Sequence, residues 1–335
     1  MPRNFTVVQA LRGIAALWVV LFHASEGGHI QQLKASLPNL VDEILFDAGG
    51  YGVAIFFGLS GFVIAHSLAN VEMRPRTWAL FMLRRSVRLD PAYWAAILFA
   101  IVMALVSAKV KGQAATTPSL AQVAAHVLYI QEIVGFPQIN NVFWTLSYEI
   151  QFYAFFALAM VVDRRPMRVL LFLLGVGSAV GLFDGLVPGL FLNLWGCFFV
   201  GVLARWAAEE RDWFAAFVVL ALVLALHTHF GAMSAGTAIA LWLSVKLRKA
   251  ETGLNWRWLQ FLGTISYSLY LIHNPVSGAA GFISRKAFGV SEWGDLLTLL
   301  LIVCSSVLCA TIFWMAIELP SHRISRKISL QRKPL

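Results

Sequence analysis

Apolar runs of about 18 to 20 residues recur from one end of this chain to the other, the length an α-helix needs to cross about 30 Å of hydrocarbon. Composition agrees, since 59% of the 335 residues are hydrophobic and only 13% are charged, with 12 Trp and 25 Phe. A domain with a solvated surface is not made this way. The expected fold is all-α: a polytopic membrane protein of about ten transmembrane helices, forming one integral membrane domain over residues 1–335. The spans are expected at about residues 6 to 25, 50 to 70, 91 to 109, 142 to 162, 167 to 183, 188 to 207, 212 to 227, 229 to 247, 258 to 277 and 295 to 317.

The segments between these spans alternate in basic charge. Those on the N-terminal side carry Arg3, then Arg74, Arg76, Arg84, Arg85 and Arg88, then Arg164, Arg165 and Arg168, then Arg205 and Arg211, then Lys246, Arg248, Lys249 and Arg257, and finally Arg323, Arg326, Lys327, Arg332 and Lys333, which is 20 of the 26 basic residues. The opposite segments carry 5, namely Lys34, Lys109, Lys111, Arg285 and Lys286. By the positive-inside rule both termini are expected in the cytoplasm. The net charge of +9 is then a topology signal spread over short loops, and nucleic-acid binding is not expected. Cys197, Cys304 and Cys309 fall inside spans with no C-x-x-C, so neither disulfides nor a metal site is expected. The first span lacks an A-x-A cleavage pattern and holds an Arg, so it is expected to be retained. Only residues 26 to 49 and 110 to 141 form long connections, both on the outer side. The second contains "SLAQVAAHVLYIQ", which is amphipathic, too short to span, and expected to lie at the interface or dip partway in. About 18 residues follow the last span, so no extramembrane catalytic module is expected at that end.

The polar residues inside the apolar runs carry the chemistry. An Arg in a membrane helix costs about 2.5 to 3.5 kcal/mol at mid-depth, although Arg12 is near enough to the inner end to snorkel. Arg12 and His23 lie eleven residues apart, about 20° beyond three full turns, so they share one helix face about 16 Å apart. A lone His near a helix end is more often a satisfied polar residue than a catalyst. The fourth span adds Glu149, two turns in from the same outer side, and an intramembrane carboxylate is a functional-site candidate by default. A Glu bonded to one imidazole nitrogen leaves the other as a base for a hydroxyl nucleophile. In "RRSVRLDPAYW", Arg84 and Arg88 at i and i+4 would present two guanidinium forks before Pro91 restarts the chain, and the five Arg between 74 and 88, Arg85 among them, suit a phosphate-rich cytosolic ligand as well as a plain positive-inside anchor. Ser60, in "FFGLSGF", is not a nucleophile elbow because position 62 is Phe; it is expected to allow close packing or a kink beside the cavity. Trp144 and Tyr153 of "FWTLSYEIQFY", and Tyr267, Tyr270 and His273 of "ISYSLYLIH", are candidate pocket residues, with His273 expected at the outer end of its span.

Together these stretches, with "IELPSHR" closing the last span, resemble the acyltransferase-3 family of integral membrane acyltransferases over essentially the whole chain. The resemblance implies a ten-span fold, an acyl-CoA donor, acetyl-CoA by family precedent, with no permanently bound cofactor, and essential roles for Arg12 and His23. It implies transfer to a hydroxyl of a carbohydrate or glycolipid acceptor at the plasma (inner) membrane. Asp90 departs from the family pattern, where a bulky residue is usual, and many relatives carry a C-terminal esterase-like domain not expected here. The expected site is thus His23 as base with Glu149 as its orienter, and Arg12, Arg84, Arg85 and Arg88 on the donor. A proton-coupled transporter or flippase is the alternative from another class, because Arg, His and Glu also build proton relays. A different membrane O-acyltransferase chemistry would need a buried Asn and His pair, and Asn193 has no obvious partner His.

Overall fold

The apolar runs do become helices. The computed structural model describes residues 5–114, 116–162 and 164–330, and among them there is no strand. The helices are α1 (Thr6–Glu26), α2 (Gln31–Ser36), α3 (Asn39–Leu45), α4 (Gly52–Leu68), α5 (Pro75–Lys111), α6 (Leu120–Val127), α7 (Trp144–Ala159), α8 (Arg165–Ala179), α9 (Trp195–Glu209), α10 (Phe214–His227), α11 (His229–Lys246), α12 (Arg257–Phe288), α13 (Glu292–Phe313) and α14 (Leu319–Ser325). Local chemistry sets several boundaries. Pro occupies the first turn of α5 and of α8, where its missing N–H is no loss. The hydroxyls of Ser119, Thr228 and Ser291 cap α6, α11 and α13 by accepting from Gln122, Gly231 and Gly294. Gly112, at φ +66°, closes α5.

Among the described residues, six stretches are long and apolar enough to cross a membrane: Thr6–Glu26, Asn39–Leu68, Pro75–Lys111, Trp144–Val162, Phe191–Glu209 and Glu292–Ser325. This is a multi-pass membrane protein. The remaining four expected spans coincide with α8, α10, α11 and α12, which fall short of that measure. α8 and α10 have only 15 and 14 residues, and α11 and α12 are diluted by Ser, Thr, Gly and His.

Successive long helices reverse direction. Phe5 packs on Phe62 and His66 while Gly52 meets Ala15, so α1 and α4 are antiparallel. Trp78 Nε1 donates to Ala154 O at 3.0 Å and Tyr93 packs on Phe143, which makes α5 and α7 antiparallel. Arg12 reaches Ser266 and His23 reaches His273, so α1 and α12 run parallel. Connections carrying the basic majority therefore gather at one end of the bundle, where Thr6 Oγ donates to Gly253 O, Arg205 Nε to His66 Nδ1, and Lys246 Nζ to Ala208 O.

Glycine permits the close approach of α1 and α12. A Cβ on Gly263 would lie 2.1 Å from Gln9 O, and one on Gly13 would lie 2.8 Å from Gly263 N. The α1 and α12 backbones are thus in near contact, as small-residue interfaces between membrane helices allow.

Three features depart from the sequence expectation. Pro91 does not restart the chain: α5 runs unbroken through it for 37 residues. α12 continues past residue 277 to Phe288, so His273 sits mid-helix rather than at its outer end. The last span is interrupted by a π-helical turn, Trp314–Glu318, before α14.

The long segment between α5 and α7 dips inward, as its amphipathic pattern predicts. Tyr129, in the left-handed region at φ +60°, stacks on Tyr93 with centroids 4.6 Å apart and donates to Asp90 Oδ1 at 2.9 Å. Asp90, which also accepts from Ser86, is the buried anchor of this segment rather than a misfit. His126 fixes the neighbouring turn: Nδ1 donates to Gln122 O at 2.8 Å, and Nε2 accepts from Ile139 N at 3.1 Å. Burial holds this ring below its ordinary value of 6.5 and hence neutral.

Candidate active site

At the end of the bundle opposite the basic loops, His23 occupies the last turn of α1, with its side chain 12% exposed. Its Nδ1 lies 2.7 Å from Glu26 Oε2, one turn on, while Glu26 itself is 54% exposed. An ionised carboxylate accepts only, so Nδ1 carries the proton and Nε2 keeps its lone pair. On the other side stands His273 of α12, its ring centroid 5.1 Å from that of His23 and its planes inclined by 38°. His273 is fully buried, and its Nδ1 donates to the carbonyls of Tyr270 and Leu269 at 2.9 and 3.1 Å.

Eleven residues earlier on α1, Arg12 Nε donates to Ser266 Oγ at 3.1 Å. Arg12 and His23 therefore both face α12, consistent with their spacing on one helix face. Beside Arg12 the π-turn delivers Glu318, 8% exposed, whose Oε2 accepts from Ser268 Oγ at 2.6 Å and Ser268 N at 3.2 Å. A π-turn inserts one residue into the helical repeat and so re-aims the side chains beyond it. The charges of Arg12 and Arg88 both act on Glu318, and those of Arg88, Arg326, Arg12 and Arg84 converge on His322 of α14. The result is a group of four guanidiniums about one buried carboxylate at the basic end.

Between the two ends lies a third cluster. Glu149 Oε1 accepts from Ser60 Oγ at 2.5 Å and from the Tyr153 hydroxyl. Arg85 stands over the Tyr153 ring at 4.9 Å and the Phe81 ring at 5.5 Å. Arg85 thus turns toward α7 while Arg84 and Arg88 belong with α14. Tyr267 donates to Leu89 O at 3.1 Å, tying α12 to α5 beside Arg88.

The structure brings together Arg12, Arg84 and Arg88; Ser60, Glu149, Tyr153 and Arg85; and His23 with His273. Glu149 does not orient His23: it is bonded to Ser60 and Tyr153, and Glu26 occupies the orienting position. Trp144 packs on Phe57 and Tyr148. The residues that sequence reasoning missed are Glu26, Ser266, Ser268, Glu318 and His322. Glu26 left a signal, an acid at i+3 from His23. Glu318 left another, a carboxylate within the last apolar run. A cleft of about 490 Å³ at the basic end, bounded by α4, α7 and Trp206, lies apart from the face shared by Arg12 and His23. Among the described residues no group of three His, Cys, Asp or Glu side chains could hold a metal ion.

The helical bundle thus holds a pair of imidazoles at one end and an arginine group about a buried carboxylate at the other. The family model for the acyltransferase domain of the acyltransferase-3 family matches residues 6–315, and the chain belongs to that family. It is an acyltransferase. Among curated proteins and among solved structures, nothing matches it.

Proposed function

We propose that this enzyme moves an acyl group, acetyl by family precedent, from cytosolic acyl-CoA to a hydroxyl of a carbohydrate or glycolipid acceptor at the outer face of the plasma (inner) membrane. The observation that carries the reading is that one helix, α1, presents Arg12 within an arginine group at the basic end and His23 with a free Nε2 at the other, both against α12. Ten crossings, with both termini in the cytoplasm, put the arginines on the side where acyl-CoA is made.

In this reading the nucleotide phosphates bind Arg84, Arg88 and Arg12, with Arg85 nearby, as guanidinium forks suit phosphate. The pantetheine arm runs past Tyr267, Glu149 and Ser60 toward His23, over a distance of about 16 Å along α1. The acceptor oxygen attacks the thioester carbonyl carbon while His23 Nε2 takes the hydroxyl proton. The C–S bond then breaks, and the proton passes from Nε2 to the leaving sulfur, so that an ester and free CoA are the products. Glu26 holds the imidazole in the competent tautomer and offsets its transient positive charge.

Purified protein incubated with radiolabelled acetyl-CoA and a glycan panel tests the reaction. Label should pass to acceptor with the native chain and not with His23→Ala, which should still bind CoA. Replacing Arg84 and Arg88 with Gln should weaken use of acetyl-CoA far more than use of acetyl-pantetheine, which lacks the nucleotide. Equal loss with both donors would assign those arginines to folding or topology. Label that never leaves CoA with any acceptor would count against acyl transfer itself.

A further inference from the structure

Resting on that reading of His23, we infer that His273 is a specificity-determining residue. Its Nε2 receives a hydrogen bond from a hydroxyl adjacent to the one that His23 deprotonates, so the acceptor must present two neighbouring hydroxyls. The tautomer of His273 is settled by geometry: Nδ1 lies within 3.1 Å of two backbone carbonyls, which accept only, so the proton is there. Nε2 is left as a bare lone pair. It is buried in a residue with no solvent exposure and has no hydrogen-bond partner in the fold. A buried acceptor without a donor is costly, and a specific one calls for an explanation.

The neighbouring side chains do not supply the missing donor. The Tyr270 hydroxyl is engaged with Val142 O and Thr145 Oγ1, and Asn274 Nδ2 donates to Asn140 Oδ1. Across from it, His23 has given Nδ1 to Glu26 and likewise keeps only an acceptor. The two imidazoles, with ring centroids 5.1 Å apart, thus each keep one unmatched acceptor nitrogen. Their complement is a ligand with two O–H donors on adjacent atoms. One donor loses its proton to His23 as its oxygen attacks, while the other, bound to His273, fixes which hydroxyl is attacked. His23 is the partly exposed member of the pair.

The test compares methyl hexopyranosides with their monodeoxy counterparts as acceptors for radiolabelled acetyl-CoA, using the full chain in detergent. Removing the hydroxyl next to the acylated position should lower kcat/KM at least about tenfold, because a site built to bind a hydroxyl rejects the analogue that lacks it. In His273→Ala that discrimination should collapse to within about twofold, and His273→Gln, which restores an acceptor oxygen, should recover part of it. The wild-type comparison needs no variant. If wild type treats both acceptors alike, Nε2 is served by a bridging water only and the inference fails. If His273→Ala slows both acceptors in the same proportion, the role is structural and the inference also fails. If no acceptor is ever labelled although acetyl-CoA binds, the acyl-transfer reading fails first and takes this inference with it.

Discussion

Glu26 bonds His23 from one turn away while remaining open to water, whereas Glu149 is tied to Ser60 and Tyr153. The two carboxylates therefore make different predictions. Glu26→Gln can still bond the ring but cannot offset imidazolium charge, so kcat should fall about 10- to 100-fold with the donor KM little changed. Steady-state kinetics with varied acetyl-CoA checks this; loss of kcat in Glu149→Gln with none in Glu26→Gln would return the orienting role to Glu149. A second residue-scale prediction concerns His126. Its folded value lies below the ordinary 6.5, so the unfolded chain binds the extra proton more readily. Its stabilising contribution is therefore complete above about pH 6.5 and is lost as pH falls below it. The apparent melting temperature in detergent should drop between about pH 7 and pH 5, and the drop should be smaller in His126→Gln. At this scale the sequence shows which residue types could do chemistry, but not their partners. Glu26 and Glu149 are both plausible beside His23 by position along the chain, and only the rotation of α7 relative to α1 separates them.

Between elements, the packing of α1 on α12 aligns both ends of the site. Gly263→Ala would force a methyl against Gln9 O and push the two helices apart. It should destabilise the protein by about 2 kcal/mol or more and lower transfer, since Arg12 and His23 both lose their α12 partners. Gly278→Ala on the same helix meets open space and should be neutral or stabilising by up to about 1 kcal/mol. Thermal unfolding of the two variants in detergent, alongside the transfer assay, distinguishes a local approach from general helix propensity. The shared face of Arg12 and His23 was legible because both lie on one helix, where 3.6 residues per turn fixes the geometry. The position of Glu318 was not, because the π-turn at Trp314–Glu318 adds one residue that turns everything beyond it by about 100°. Nothing in local propensity marks that insertion. Continuity of α5 through Pro91 was missed for a related reason: a helix interior tolerates Pro when neighbouring helices brace it.

For the whole molecule, the alternating helix directions and the gathering of basic loops at one end lead to a topology prediction. In a background with Cys197, Cys304 and Cys309 replaced, single cysteines at Ser36 and Val290 should react with an impermeant reagent added outside sealed cells, while one at Ser329 should react only after lysis. Labelling of the Ser329 probe in sealed cells would invert the molecule and with it the direction of acyl transfer. The helical class was legible from apolar run length alone, though the full extents of α5 and α12 were not. Nor was the status of α12, because the Ser, Thr, Gly, Asn and His residues along it dilute the hydrophobic signal.

The contact from Arg12 to Ser266 joins positions 254 residues apart. At about 5 to 20 residues per second of synthesis, α12 emerges on the order of tens of seconds after α1. Throughout that interval Arg12 sits in a helix that has already left the ribosome, its eventual partner not yet made. The first helix must therefore carry Arg12 without this partner, its guanidinium snorkelling to the inner interface, and the contact can form only when the chain is nearly finished.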